Sequence, residues 1–168
     1  MAALKITFVI LAYFCLSGCG SRSSETTSAR TTIQPCSLIT KEEAGVALGG
    51  DVAVTERSDR NACSYDLVAT GSPNEIRSGT IVVLVVTSDS PQFEKFGLTD
   101  ASNEAKPVSG LGDRAVVIMS RDRPDEGAKA IQVLKGNMYV AVGMTTSINP
   151  VSVDTLTSLA AKAVSRMP

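Results

Sequence analysis

The cysteines are the residues whose spacing says most about chemistry in this chain of 168 residues, which has four of them and no histidine. The absence of histidine removes the usual general base, the commonest transition-metal ligand and the base of Ser-His and Cys-His nucleophile systems. Cys15 and Cys19 lie near the start of the chain, whereas Cys36 and Cys63 lie further along it. These different surroundings predict different roles for the two pairs.

Cys19 stands at the end of a segment that is typical of an export signal. Lys5 supplies a positive charge, and residues 6–16 form an apolar run, ITFVILAYFCL. Such a run suits the core of a signal peptide, whereas a helix that spans a bilayer needs about 20 residues. Residues 16–19 (LSGC) follow at once and resemble the lipobox of bacterial lipoproteins. In that motif the signal is removed before the Cys, and the thiol of the Cys receives a diacylglycerol.

This motif divides the chain into three parts: a signal peptide at 1–18, a lipidated Cys19 with a flexible tether at 19–34, and a single domain at 35–168. The tether is rich in Ser and Thr, so it cannot bury much apolar surface. Two or three acyl chains hold a protein on a membrane stably. We therefore expect an exported protein that is anchored to a bacterial membrane, either the cell membrane or the outer membrane. The alternatives are a plain secretory signal and a cytosolic chain whose apolar start belongs to the core.

Cys36 and Cys63 remain as an even pair in an exported and therefore oxidising setting. We expect them to form a disulfide, which closes a loop of about 28 residues and stabilises the domain by roughly 3 to 4 kcal/mol. The alternative is a redox or metal-binding pair. Their spacing is not that of a Cys-x-x-Cys motif, and no other soft ligands accompany them, so this alternative is disfavoured.

The first element of the domain carries a complete set of helix signals. Thr40 and Glu43 fit a capping box, and Gly49-Gly50 provide a stop, so the sequence predicts a helix over 41–48. A second helix is predicted to begin at Ser90-Pro91 and to bury Phe93 and Phe96. A last helix is predicted after Asn149-Pro150. Its apolar residues recur at helical spacing: Val153, Leu156, Leu159, Ala160, Ala163, Val164 and Met167.

Six strands are expected between and around these helices, at 51–57, 62–68, 80–87, 115–119, 128–135 and 138–145. The third strand, TIVVLVVT, is expected to be central and buried on both faces. Gly136-Asn137 predicts a two-residue hairpin turn that places Val133 opposite Val140. Short connections favour an α+β domain with a twisted antiparallel sheet of about six strands and helices packed mainly on one face.

Several segments together resemble a known group of proteins. They are residues 35–43 (PCSLITKEE), Leu48-Gly49, residues 62–65 (ACSY), residues 110–115 (GLGDRA) and the hairpin turn at 135–137. This pattern is similar to that of a large group of small bacterial lipoproteins of unknown function, which is common in actinobacteria. The resemblance implies the Cys36–Cys63 disulfide and the α+β layout, but no reaction.

Other groupings of reactive side chains have simpler explanations. Residues 109–114 (SGLGDR) contain glycines like a phosphate-binding loop, but they precede a predicted strand instead of a helix, so we interpret them as a turn. Asp122, Asp125 and Glu126 lack the order of an EF-hand and read as a solvated loop. Glu42 and Glu43 point about 100° apart on a helix, and Tyr65 is expected to pack in the core near the disulfide.

We therefore expect a non-enzymatic binding or interaction module of the cell envelope, without a cofactor and without the aromatic platforms of a nucleic-acid binder. The alternatives are a hydrolase or transferase that uses Ser, Lys or carboxylates, and a structural subunit of an envelope complex. A binding surface is expected on the two long polar loops at 69–78 and 120–127, or otherwise on the open face of the sheet.

Overall fold

A seven-stranded antiparallel sheet with two α-helices forms the part of the chain that the computed structural model describes, which is residues 33–68, 78–123, 125, 127–147 and 150–168. The helices are α1 (Lys41–Leu48) and α2 (Val153–Ser165). The strands are β1 (Val52–Arg57), β2 (Ala62–Leu67), β3 (Gly79–Thr87), β4 (Asn103–Val108), β5 (Arg114–Ser120), β6 (Ala128–Lys135) and β7 (Met138–Thr146).

The spatial order of the strands is β1-β2-β3-β7-β6-β5-β4. Strands β1 to β3, which are consecutive in the chain, form one half of the sheet, and β4 to β6 form the other. Strand β7 joins the two halves, because it pairs with both β3 and β6. Strands β1 and β4 form the two edges. The predicted α+β class is confirmed, whereas the expected six strands are one too few.

Helix α1 begins and ends where its sequence signals predict. The Thr40 hydroxyl accepts a hydrogen bond from the Glu43 backbone N–H at 3.2 Å, and the Thr40 N–H donates to Glu43 Oε2 at 2.9 Å. These two bonds satisfy orphan N–H groups of the first turn. Gly49 then adopts φ 77°, a left-handed conformation that glycine reaches without steric cost. The predicted capping box and helix are both confirmed.

The β6–β7 hairpin turns at Gly136-Asn137 with the predicted register. Val133 pairs with Val140, and Ile131 pairs with Val142, and all four side chains are fully buried. Their face of the sheet carries the hydrophobic core, which Ala44 and Leu48 of α1 and the apolar stripe of α2 complete. The stripe residues of α2 that are buried are Leu156, Leu159, Ala160 and Ala163.

Strand β3 corrects one expectation. Ile81 and Val83 are fully buried, but Val82, which lies between them, is 38% exposed. Successive residues of a strand point to opposite faces of the sheet, so the core covers one side of β3 at this point and leaves the other side open. The prediction that β3 is buried on both faces is therefore wrong in the middle of the strand.

The predicted second helix is also wrong. After Ser90-Pro91 the chain makes a single 3₁₀ turn at Phe93–Lys95, and Phe96 and Gly97 (φ 72°) then leave the helical conformation. The connection continues to β4, a strand that the sequence analysis missed. Its polar sequence, NEAKPV, and its proline suit an edge strand, because the backbone N–H groups on the outer side of such a strand pair with no neighbouring strand.

Helix α2 begins later than predicted. The expected cap, Asn149, lies outside the described residues, and the observed N-cap is Ser152, whose hydroxyl accepts from the Thr155 N–H at 3.0 Å. Val151 forms a parallel bridge with Gly127, which keeps the backbone extended until the cap. Neither described helix combines the length and hydrophobicity that crossing a bilayer requires.

Candidate functional site

The two cysteines of the domain are joined in a disulfide between the segment before α1 and the interior of the sheet. Cys36 lies in a 3₁₀ turn at Pro35–Ser37, and Cys63 lies in β2, where it is fully buried. The sulfur atoms are 2.01 Å apart, and the Cα atoms are 5.0 Å apart. The predicted pairing is therefore confirmed, and the first described turn of the chain is covalently fixed to β2.

Tyr65 lies on the same face of β2 as Cys63, two residues further along. Its hydroxyl donates to the backbone carbonyl of Ile39 and lies 3.2 Å from the carbonyl oxygen of Cys36. The side chain is buried, and this burial, with the nearby charge of Glu43, raises the pKa of the phenol to about 12. The expected packing of Tyr65 beside the disulfide is confirmed. The two hydrogen bonds to backbone oxygens were not anticipated.

Glu43 connects α1 to the end of α2. Its carboxylate accepts two hydrogen bonds from the Arg166 guanidinium, at 2.7 and 2.8 Å, and lies 3.5 Å from Lys162 Nζ. Arg166 also donates to the carbonyl oxygen of Leu38 at 2.7 Å. The hydrogen bonds from Arg166 lower the pKa of the Glu43 carboxyl to about 2, with help from the Thr40 N–H. We call the disulfide, Tyr65, Glu43 and Arg166 together the N-terminal clasp.

The N-terminal clasp has a structural role. A general acid or base works best when its pKa lies near the operating pH. Glu43 titrates near pH 2 and Tyr65 near pH 12, and the polar groups of both residues already have partners within the protein. These groups hold the segment before α1 against β2 and α2, and neither is poised for proton transfer at neutral pH.

Two surface grooves flank α1. One has a volume of about 530 Å³ and is lined by residues that include Lys41, Glu42 and Asp51. The other has a volume of about 330 Å³ and a lining that includes Leu48, Met144 and Val151. Both grooves share Val46, which is 85% exposed. This surface can accept a small or extended ligand.

The other candidate surface is the side of the sheet that faces away from the helices. The connection at 88–102, which we call the covering loop, packs over one end of this side. Phe93 and Phe96 contact the ring of Tyr139, with ring centres 6.0 and 5.5 Å apart. The Gly97 N–H donates to Gln132 Oε1 at 2.7 Å, and the Arg114 guanidinium lies 5.4 Å from the ring centre of Phe96. The whole of this side, which we call the open face, has no helix against it among the described residues.

The other residues singled out from the sequence do not come together into a site. Cys19, residues 69–77 and Glu126 lie outside the described residues. The described part of the loop at 120–127 folds back on itself, because Ser120 Oγ accepts from the Arg123 N–H at 3.2 Å. The described residues contain no group of three His, Cys, Asp or Glu side chains that could hold a metal ion. The glycine-rich segment at 109–114 is a turn that leads into β5, as predicted.

Two acidic residues have roles beyond those predicted from the sequence. Glu43 was assigned to capping alone, and its partner Arg166 lies 123 residues away, so no local pattern signals the pair. Asp113 was assigned to a turn, but its carboxylate accepts from the Gly136 N–H at 2.7 Å and so supports the β6–β7 hairpin. No protein-family model, no curated protein and no solved structure matches this chain in the comparisons made. The resemblance to small bacterial lipoproteins stays a prediction.

Proposed function

We propose that this chain is an exported bacterial lipoprotein, anchored through Cys19, whose folded domain is a non-enzymatic binding module of the cell envelope. The observation that carries the proposal is the Cys36–Cys63 disulfide, because such bonds persist in oxidising compartments and are rare in the reducing cytosol. It supports export, as the signal-like segment and the lipobox-like residues 16–19 do.

The state of the charged groups supports a binding role over a catalytic one. The carboxyl group with the most strongly lowered pKa, that of Glu43, is held by Arg166 and the Thr40 N–H in a structural contact. Perturbed groups that lie in a cleft and lack such an explanation are the ones that point to catalysis. The open face offers a broad surface with small side chains along its middle, which suits recognition of a macromolecule.

The open face also favours the second candidate function, a structural subunit of an envelope complex. Sheet faces that carry apolar side chains are commonly covered, and Val82 lies uncovered in the middle of this one. A subunit role and a binding role share the anchor and the surface. They differ in whether the partner is permanently bound, which co-purification from crosslinked envelopes at increasing salt and detergent distinguishes.

The anchor is tested by Cys19→Ala in the full-length chain, with metabolic acyl labelling and membrane fractionation as readouts. We expect the variant to lose the label and either to leave the membrane fraction or to accumulate unprocessed. Cys15→Ala is the matched control, because Cys15 lies within the proposed signal and should leave labelling intact. Labelling and membrane retention that survive Cys19→Ala would remove the lipoprotein proposal.

A further inference from the structure

The open face has an uncharged row across its middle. The strand register places one residue from each strand in this row, and we call these residues the middle row: Thr55, Ser64, Val82, Gly143, Ala130, Ile118 and Ala105. All of them are small or apolar, so the row is flat and holds no charge that would resist burial. Val82 and Thr55 are exposed, Ser64 is buried, and the other four are half-buried.

Two opposite charges lie on either side of this row. Arg57 on β1 pairs with Ala62 of β2, which lies on this face two residues before Ser64. Asp66 of β2 lies on the same face two residues after Ser64. At about 3.3 Å per residue, Arg57 and Asp66 are separated by about 13 Å along the strands, which is too far for a direct ion pair within the chain. Asp66 Oδ1 accepts from the Thr80 hydroxyl at 2.7 Å, so the carboxylate is held at the surface of the face.

The shape of the face is divided in the same way as its charge. The covering loop contacts Gln132 and Tyr139, which lie on the Arg57 side of the middle row. The half of the face on the Asp66 side has no covering segment among the described residues. The covering loop also carries Leu98, which is 67% exposed and has no apolar cover. The described residues of each molecule therefore present a raised half and a flat half.

We propose that the open face binds a second copy of this chain, about a two-fold axis that lies over the middle row and crosses the strands. This operation turns the Arg57 half of one copy onto the Asp66 half of the other, so each Arg57 faces the partner copy's Asp66. It also places each raised covering loop over the flat half of the other copy. One operation thus matches charge and shape together, as an isologous interface requires.

The size of the face is consistent with a dimer. Seven strands spaced about 4.8 Å apart, with about six residues each, outline a surface of roughly 650 Å² before its unevenness is counted. A standard protein interface buries about 800 Å² per partner. The covering loops add contact area beyond the flat outline. This dimer depends only on the folded domain, and it does not require the anchor proposed above.

Crosslinking in the full-length chain tests the proposal. Two-fold symmetry places each middle-row residue opposite its own copy, across two sheets about 10 Å apart, so Val82→Cys should be joined to its copy by a bifunctional thiol crosslinker that spans about 10 Å. Val46→Cys is the matched control, because Val46 is more exposed but lies on α1, away from the open face. Cys63 lies on the core face of the neighbouring strand and does not compete for the new thiol. Dimers are read on non-reducing gels from whichever cell fraction holds the protein, against the parent chain without the added cysteine, so crosslinking through an unacylated Cys19 is subtracted.

Charge reversal then tests the symmetry. In the Val82→Cys background, Arg57→Asp or Asp66→Arg alone should lower dimer crosslinking about tenfold, because repulsion replaces attraction at both symmetry-related pairs. The two changes together should restore crosslinking, since the opposite charges face each other again. Arg60→Asp, at an exposed residue in the turn after β1, is the control for net charge.

Three outcomes would overturn the proposal. The first is crosslinking of Val46→Cys as efficient as that of Val82→Cys. The second is a double variant that stays as weak as the single variants. The third is capture of a different protein in place of a second copy by the thiol crosslinker.

Discussion

Replacing Glu43 with Gln removes the charge of the N-terminal clasp while keeping the size and shape of the side chain. A Gln side chain at this position can still accept a hydrogen bond from the Thr40 N–H, so the capping box persists. The change removes the charge that faces Arg166 and Lys162, and with it one of the two oxygens that accept from the Arg166 guanidinium. The perturbation therefore reports the charge-assisted link between α1 and α2, for which the sequence holds no local signal.

The pKa of Glu43 sets the magnitude. It falls from its usual 4.5 to about 2 in the folded protein, and each pKa unit corresponds to about 1.4 kcal/mol. That conversion gives an upper value of about 3 kcal/mol, which solvent screening reduces to about 1 to 2 kcal/mol because the partner side chains lie near the surface. We expect Glu43→Gln to lower the free energy of unfolding by that amount at pH 7.

The sign of the pH dependence follows from the direction of the shift. A carboxyl group whose folded-state pKa is depressed stabilises the fold above its unfolded pKa, and this contribution is lost as the pH falls through the folded-state pKa. The difference between wild type and Glu43→Gln should therefore be constant from pH 7 to about pH 5 and should shrink toward zero near pH 2. Chemical denaturation at a series of pH values, followed by circular dichroism, measures it.

Glu42→Gln is the control, because Glu42 occupies the same turn of α1 but is exposed. Its pKa is also lowered, mainly by a backbone hydrogen bond, so a small effect in the same direction is expected. A stability difference for Glu43→Gln that does not change between pH 7 and pH 2 would refute the electrostatic reasoning. An effect of Glu42→Gln as large as that of Glu43→Gln would do the same.

Replacing Cys36 and Cys63 together by Ser should lower the free energy of unfolding by about 3 to 4 kcal/mol, measured by denaturation under oxidising conditions; equal stability of variant and wild type would contradict this. Tyr65→Phe leaves buried carbonyl oxygens without their donor and should cost about 1 to 3 kcal/mol. The difference in ultraviolet titration between the folded wild type and Tyr65→Phe should show Tyr65 ionising only near pH 12, and a difference that develops near pH 10 would argue against its burial. Gly112→Ala places a Cβ against the backbone carbonyl oxygen of Leu134 in β6 and should destabilise more than Gly110→Ala, which meets nothing within 4 Å, by comparison of thermal midpoints.

Local signals predicted the fold well where one short segment contained both the signal and its partner. The capping box of α1 and the register of the β6–β7 hairpin are such cases, and both are confirmed. The second helix failed because Ser90-Pro91 starts a turn that cannot continue: Gly97 adopts a left-handed conformation, and the Phe residues pack on Tyr139 instead of on the core. Strand β4 was not predicted, because its pairing with β5 depends on tertiary context and its polar sequence carries no local signal of a strand.

The candidate sites were less predictable than the fold for the same physical reason. The disulfide followed from cysteine counting, since only one pairing remained in the domain. Glu43 and Arg166 meet only because α1 and α2 pack on the same sheet, and the sequence holds no marker for a contact over that separation. The open face depends on which side of β3 the helices leave uncovered. An apolar run such as that of β3 looks the same whether one side is covered or both.

The central place of β7 in the sheet has a consequence for the order of folding. Strands β1 to β3 and β4 to β6 can each assemble from neighbours in the chain, but the two halves of the described sheet are joined through β7, which follows both of them in the chain. Long-range pairing of this kind is slow, because the entropy of closing a large loop is lost before the contacts form. Until β7 and α2 arrive, each half exposes an apolar face and an unpaired strand edge, which is the state most open to aggregation and to chaperone binding. A chain truncated before residue 138 would remain in that state.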